Sequence, residues 1–182
     1  ADKSDILEKL GLEAKSFVLI TLHRAENVDY KLGELFNSFY SSIKGMPIVF
    51  PIHPRTKSAI IKMYGEQDFN SWSKRLNLIE PLGYIEFLAL MKKAKFVLTD
   101  SGGLQEETTV LGVPCLTLRN ETERPITVEK GTNEIVGLDE KKIKESIEKI
   151  MKGEWKHSQK IETWDGHAAE RIIDILYKDL SK

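Results

Sequence analysis

The sequence is poor in several things, and each shortage excludes something. It has one cysteine in 182 residues, Cys115. No internal disulfide can form, and a reducing, cytoplasmic setting is expected. That thiol sits in "VPCLTL" (113–118), where apolar neighbours suit a buried structural side chain better than a nucleophile. No apolar run approaches the about 18 residues of a membrane-spanning helix, so no membrane partner is expected. No secretory-signal pattern is visible in these residues. The start at Ala1 rather than Met is read as a sign of processing or trimming. Net charge is −1, which provides no basic field for nucleic acid.

What remains is the composition of a packed domain, 41% hydrophobic and 30% charged. Residues 1–182 are read as one domain, uninterrupted by linker, repeat or low-complexity segment. Short β-branched runs mark strands at 17–22, 47–52, 76–80, 96–99, 114–118 and 134–137. Amphipathic stretches mark helices at 32–44, 55–65, 84–94, 103–111, 122–130, 139–152 and 164–180. "FVLITL" (17–22) lacks polar alternation, as a strand covered on both faces does. Strand–helix alternation with right-handed crossovers predicts an α/β, Rossmann-like doubly wound parallel sheet. The polar connection 152–164 lets the last helix, 164–180, pack apart. Trp72, Trp155 and Trp164 are read as packing residues.

The unusual polar residues gather after strands: "HRAEN" (23–27), "HPRT" (53–56), "PLGY" (81–84), "DSGG" (100–103) and "RNETERP" (119–125). In a parallel sheet all these junctions lie at one carboxyl edge, where open α/β sheets bind ligands. "TDSGGLQEET" (99–108) carries the sharpest signal. Asp100 or Ser101 is placed to cap a helix whose first turn holds Gly102 and Gly103. Free N–H groups and the positive helix end there suit a phosphate, and glycine allows close approach. An ordinary capped turn is the other reading of this motif. The pattern is neither GxGxxG nor a P-loop. Leu104, Thr108 and Leu111 are expected to form the buried stripe. At about 100° per residue, Glu107 then falls on its margin and Glu106 on the solvated far side. Glu107 leans back over Gly103, an acceptor suited to sugar hydroxyls beside the anion site.

"HRAEN", "DSGGLQEE" and "TERPITVEKGT" together resemble the non-hydrolysing UDP-N-acetylglucosamine 2-epimerases. The resemblance runs from "FVLITLHRAEN" to "DGHAAERIIDIL" but covers only the C-terminal half of that family. It implies the second domain of a glycosyltransferase-B type two-domain enzyme, with the N-terminal domain missing and a homodimer in the full-length protein. The implied reaction inverts C2 of the sugar by eliminating UDP and adding it back, in cell-surface polysaccharide biosynthesis. The implied partner is UDP-N-acetylglucosamine or UDP, with no cofactor and no metal. By resemblance Ser101, Gly102 and Gly103 hold the diphosphate and Glu107 the ribose. Phe87 meets the uracil, or else belongs to the core. His23 and Arg24 lie near the diphosphate, with His23 the catalytic candidate, and Arg124 is the arginine of the TERP motif. His53 stands where some members contact a regulatory second substrate molecule, though "PIHPRT" departs from that context. Arg55 is read as a surface charge at a helix start. The proton-abstracting groups of the family lie mainly in the absent domain, so this chain alone is expected to be inactive. The alternatives are a hydrolysing epimerase, a glycosyltransferase half or a non-catalytic nucleotide-sugar-binding domain.

Overall fold

The computed structural model describes residues 1–22, 40–43 and 45–181. Its strands are β1 (Val18–Thr21), β2 (Ile48–Pro51), β3 (Leu78–Ile79), β4 (Phe96–Thr99), β5 (Cys115–Thr117) and β6 (Asn133–Ile135). They form one sheet in the order β3-β2-β1-β4-β5-β6, and every pairing is parallel. This is the strand order of the Rossmann-like doubly wound fold, as the sequence leads one to expect. β4 reads FVLT and is buried throughout, because helices cover both faces of the sheet.

The helices are α1 (Ile6–Lys9), α2 (Pro54–Arg75), α3 (Tyr84–Lys93), α4 (Gly102–Leu111), α5 (Pro125–Glu129), α6 (Glu140–Lys152) and α7 (Ala168–Leu180). Alternate strand side chains point to opposite faces and build two apolar layers. On one face Val18, Ile20, Phe50 and Leu98 meet Ile60 of α2 and Ile147 of α6. On the other, Leu19, Val49 and Val97 meet Leu90 and Met91 of α3, with Leu104 and Leu111 of α4 packed alongside. Cys115 is fully buried, and burial pushes its thiol up to about 11. That agrees with a structural thiol.

Several boundaries differ from the sequence reading. α2 runs on past 65 because Gly65, at φ 85 and ψ 163, joins two helical stretches through a kink. Glycine reaches that conformation without a Cβ penalty. α5 starts only at Pro125, the proline at its first turn, since Arg124 before it is non-helical at φ −125, ψ 59. The short turn α1, held by buried Ile6, has no counterpart in the expected helices. The expected helix 32–44 falls outside the described residues apart from 40–43, which are helical.

The polar connection after α6 is strapped down. Trp155 Nε1 donates to the Thr132 carbonyl at 2.8 Å, and Lys156 Nζ donates to the Val128 carbonyl at 2.6 Å. Trp155 belongs to the core and Trp72 packs against it. α7, beyond this strap, buries none of its residues. Among the described residues no helix is long and apolar enough to cross a membrane.

Candidate functional site

β1 and β4 are sheet neighbours, yet the chain leaves them toward opposite edges. The crevice at such a reversal is where doubly wound sheets take ligands. The junctions after these two strands are the two that carry "HRAEN" and "DSGG". His23 and Arg24 lie outside the described residues. At the ends of β1 and β4 the Thr21 and Thr99 hydroxyls meet at 2.8 Å, and Thr99 Oγ1 accepts the Ser101 N–H at 3.0 Å. α4 begins here. Ser101 stands at the N-cap position, but its side chain makes no cap bond. Of the two expected caps, Asp100 or Ser101, the Ser101 hydroxyl does not act as one. The first-turn N–H groups of Gly102 and Gly103 carry the positive helix end at this edge.

α4 is rotated relative to the expected stripe. Its buried residues are Gln105, Thr108 and Thr109, while Leu104 and Leu111 are only partly buried. Polar side chains thus widen the buried arc toward residue 109. Glu107 keeps the marginal position expected of it. Glu106 does not lie on the solvated far side: it flanks the other margin, half-buried, and pairs with Arg124 Nε at 3.0 Å. Val110 takes the outward pole at 69% exposure.

One carboxylate oxygen of Glu107 is buried and has no hydrogen-bond partner among the described residues. Burial pushes this carboxyl above the ordinary range; the Tyr84 hydroxyl works against that shift, and the Glu106 charge adds to it. Beside it opens an apolar hollow of about 430 Å³ lined by Tyr84, Leu88, Glu106, Glu107, Val110, Leu111 and Trp164. Trp164 thus faces a groove rather than the core. Phe87 is partly buried against the second apolar layer and also lines a hollow of about 210 Å³ with Thr21, Leu22, His53 and Leu82. It therefore has both a packing contact and an open side at the carboxyl edge. His53 caps α2, its Nδ1 accepting the Arg55 N–H at 3.2 Å, and Arg55 is exposed.

The loop after β5 closes over α4. Arg119 donates to both carboxylate oxygens of Glu123 at 2.7 and 2.8 Å. A side chain added at Gly102 would meet the Glu123 carboxylate at 3.7 Å, so this neutralised acid stands over the first turn. Below the loop, Gln105, Thr122, Thr127 and Asn133 form a hydrogen-bonded group that hydropathy hides. Gly131 belongs to the same packing. A Cβ there would collide with the Thr109 side chain and the Thr127 carbonyl, which is why the α5–β6 turn can lie so close to α4. The sequence reading missed these residues because buried polar side chains look like surface ones. The recurrence of threonine on either side of Arg124 was the available signal. Among the described residues, no cluster of His, Cys, Asp and Glu is arranged to hold a metal ion.

The sequence profile of the family described as UDP-N-acetylglucosamine 2-epimerase matches residues 1–177. The chain is 44% identical over 166 residues to the UDP-N-acetylglucosamine 2-epimerase of Methanocaldococcus jannaschii, covering 88% of this chain and 44% of that protein. It is 34% identical over 180 residues to the enzyme of the same name from Bacillus subtilis, covering 94% of this chain and 45% of that one. The crystal structure of the Methanocaldococcus jannaschii UDP-GlcNAc 2-epimerase in complex with UDP-GlcNAc and UDP superposes with a TM-score of 0.77. It is 40% identical, and the match covers 97% of this chain and 49% of that one. The chain spans about half the length of the curated relatives it matches.

Proposed function

The chain belongs to the UDP-N-acetylglucosamine 2-epimerase family, and from that premise we propose that it is the UDP-holding, C-terminal half of such an enzyme. The complete protein would interconvert UDP-N-acetylglucosamine and UDP-N-acetylmannosamine. The observation that carries this reading is the placement of α4 at the β1/β4 switch point, with Glu107 one turn behind a Gly-Gly start and one of its oxygens without a donor among the described residues. A nucleoside diphosphate offers the matching pair, an anion for the helix start and ribose hydroxyls for the carboxylate. Ser101, Gly102 and Gly103 would hold the diphosphate and Phe87 the uracil. Arg24 and Arg124 would balance its charge.

In the proposed reaction a base outside this chain takes the C2 proton and the C1–oxygen bond breaks. UDP departs with the bonding pair and leaves a 2-acetamidoglucal. Protonation of C2 from the other face and return of UDP to C1 complete the inversion. This chain's part is to stabilise departing UDP electrostatically, with His23 placed by sequence to exchange a proton near it. The "TERP…GT" sequence supports the non-hydrolysing course over release of UDP. The apolar stripe of α7 would meet the part of the protein outside this chain, which by itself would not turn over substrate.

The test is calorimetric titration of the chain with UDP. Parent protein is expected to bind, and Glu107→Gln to weaken binding about tenfold through loss of a charged acceptor. UDP binding unchanged by that substitution would overturn the proposed role of α4.

A further inference from the structure

Arg124 is held by its backbone from both sides. Its N–H donates to Thr122 Oγ1 at 2.9 Å, and its carbonyl accepts from Thr127 Oγ1 at 2.7 Å. Neither threonine is on its own. Thr122 Oγ1 donates to Gln105 Oε1 at 2.5 Å, and Thr127 Oγ1 accepts from Asn133 Nδ2 at 3.0 Å. Asn133 Nδ2 also donates to Gln105 Oε1 at 3.2 Å, which closes the ring. Asn133 Oδ1 in turn accepts from Thr117 Oγ1 at 2.6 Å. Gln105 and Asn133 are wholly buried. Each threonine hydroxyl that touches Arg124 gives one hydrogen bond and takes one, so neither can rotate without losing both.

We propose that Gln105, Thr122, Thr127 and Asn133 are positioning residues that clamp Arg124 against α4 for UDP binding. The proposal rests on the UDP reading above and adds to it. The clamp joins three elements, α4 through Gln105, α5 through Thr127 and β6 through Asn133, at Arg124, the residue immediately before α5. A loop arginine free to turn would lose side-chain and backbone freedom on meeting a diphosphate, an ordering cost that weakens binding. Here the backbone is ordered beforehand by bonds that run from the exposed Arg124 N–H down to the buried amides of Gln105 and Asn133, although Gln105 Nε2 itself has no partner among the described residues. At the buried end, breaking a bond leaves further polar groups unpaired. Glu106 adds the side-chain half of the arrangement. It holds the Arg124 guanidinium at 3.0 Å, with both groups partly open to solvent. Consecutive α4 residues thus take distinct tasks: Gln105 fixes the loop, Glu106 parks the guanidinium, and Glu107 stands as the acceptor.

The experiment compares Thr122→Val and Thr122→Ser in the chain, each also made in an Arg124→Ala background. Amide hydrogen exchange of residues 119–127 reads the clamp without ligand, and calorimetry with UDP reads its use. Thr122→Val should speed exchange in this loop and weaken UDP binding about tenfold. Thr122→Ser, which keeps the hydroxyl, should restore both. In the Arg124→Ala background Thr122→Val should cost almost nothing further, since the clamp acts through that arginine. The proposal is overturned if loop exchange is unchanged by Thr122→Val, or if the loss of UDP affinity is the same with and without Arg124. If the parent chain binds no UDP while Thr122→Val still loosens the loop, the UDP reading fails and the clamp stands as a structural fact.

Discussion

Helices α4 and α7 invert the usual relation between polarity and burial. α4 buries Gln105, Thr108 and Thr109, residues that a hydropathy reading assigns to water. α7 carries Ile172, Ile173, Leu176 and Leu180, a stripe at helical spacing, and leaves all of them exposed. The difference lies in what faces each helix. α4 is enclosed by β4, the β5 loop and the α5–β6 turn. Gln105 Oε1 accepts from Thr122 of that loop and from Asn133 where that turn enters β6, while the two threonines bond back to α4's own carbonyls. Thr108 Oγ1 donates to the Leu104 carbonyl at 2.7 Å and Thr109 Oγ1 to the Gln105 carbonyl at 2.8 Å. Buried polar atoms are tolerated when they are bonded. α7 has its apolar stripe but nothing in the described residues to set it against. A stripe records that a helix evolved to face something; it does not say that the partner lies in the same stretch of chain.

The comparison breaks most sharply at Gly131. Gly131→Ala should force the α5–β6 turn away from Thr109, because the new methyl collides with backbone as well as side chain. A loss of about 3 kcal/mol in chemical denaturation is expected for overpacking of this kind. A loss near zero would show that α4 is not enclosed as tightly as its buried threonines indicate.

A smaller effect should follow from pH at the other margin of α4. Uridine lacks the phosphates, so its affinity isolates the ribose contact with Glu107. Hydroxyl donors need the ionised carboxylate. Burial raises this group's pKa above the ordinary 4.5. Uridine affinity should therefore be level near neutral pH and begin to fall while the pH is still above 4.5. Glu107→Gln should remove that dependence. On stability the sign is opposite. Protonated Glu107 is the form the fold favours, so its contribution is fully present below the unfolded value and is lost as pH rises through the folded one. A pH profile for uridine that is the same in parent and Glu107→Gln would dismiss the ribose contact.

The smallest effect is expected at α7. Leu176→Ala should change the stability of the chain by under about 0.5 kcal/mol, as at an exposed site. A cost of about 2 kcal/mol or more, the size seen for a packed leucine, would mean that α7 is packed within this chain and would remove the contrast with α4.

Much of the fold was legible because its signals are local. Runs such as FVLT can be satisfied only between two covering layers, and the alternation of strand with helix leaves few topologies once crossovers are right-handed. Gly102, Gly103 and Glu107 were legible for the same reason, since their relation is set by helix geometry over a single turn. Glu106 was misread. Its environment depends on Arg124, which is remote in sequence and arrives through a separate loop. The run past Gly65 was missed because a glycine marks a possible break without saying whether the helix resumes.

By itself the sequence determined the parallel doubly wound sheet, the edge at which the polar junctions gather, and the turn of α4 that offers N–H groups beside a carboxylate. These follow from periodicity, chirality and the rise of a helix, which act between near neighbours. Only the tertiary structure decided which polar residues are interior. Gln105, Thr122, Thr127 and Asn133 meet because α4, the β5 loop, α5 and β6 converge, and a hydrogen bond between distant residues leaves no period in the chain. The physical reason is that burial of a polar group costs or stabilises according to its partner, and the partner is chosen by the fold.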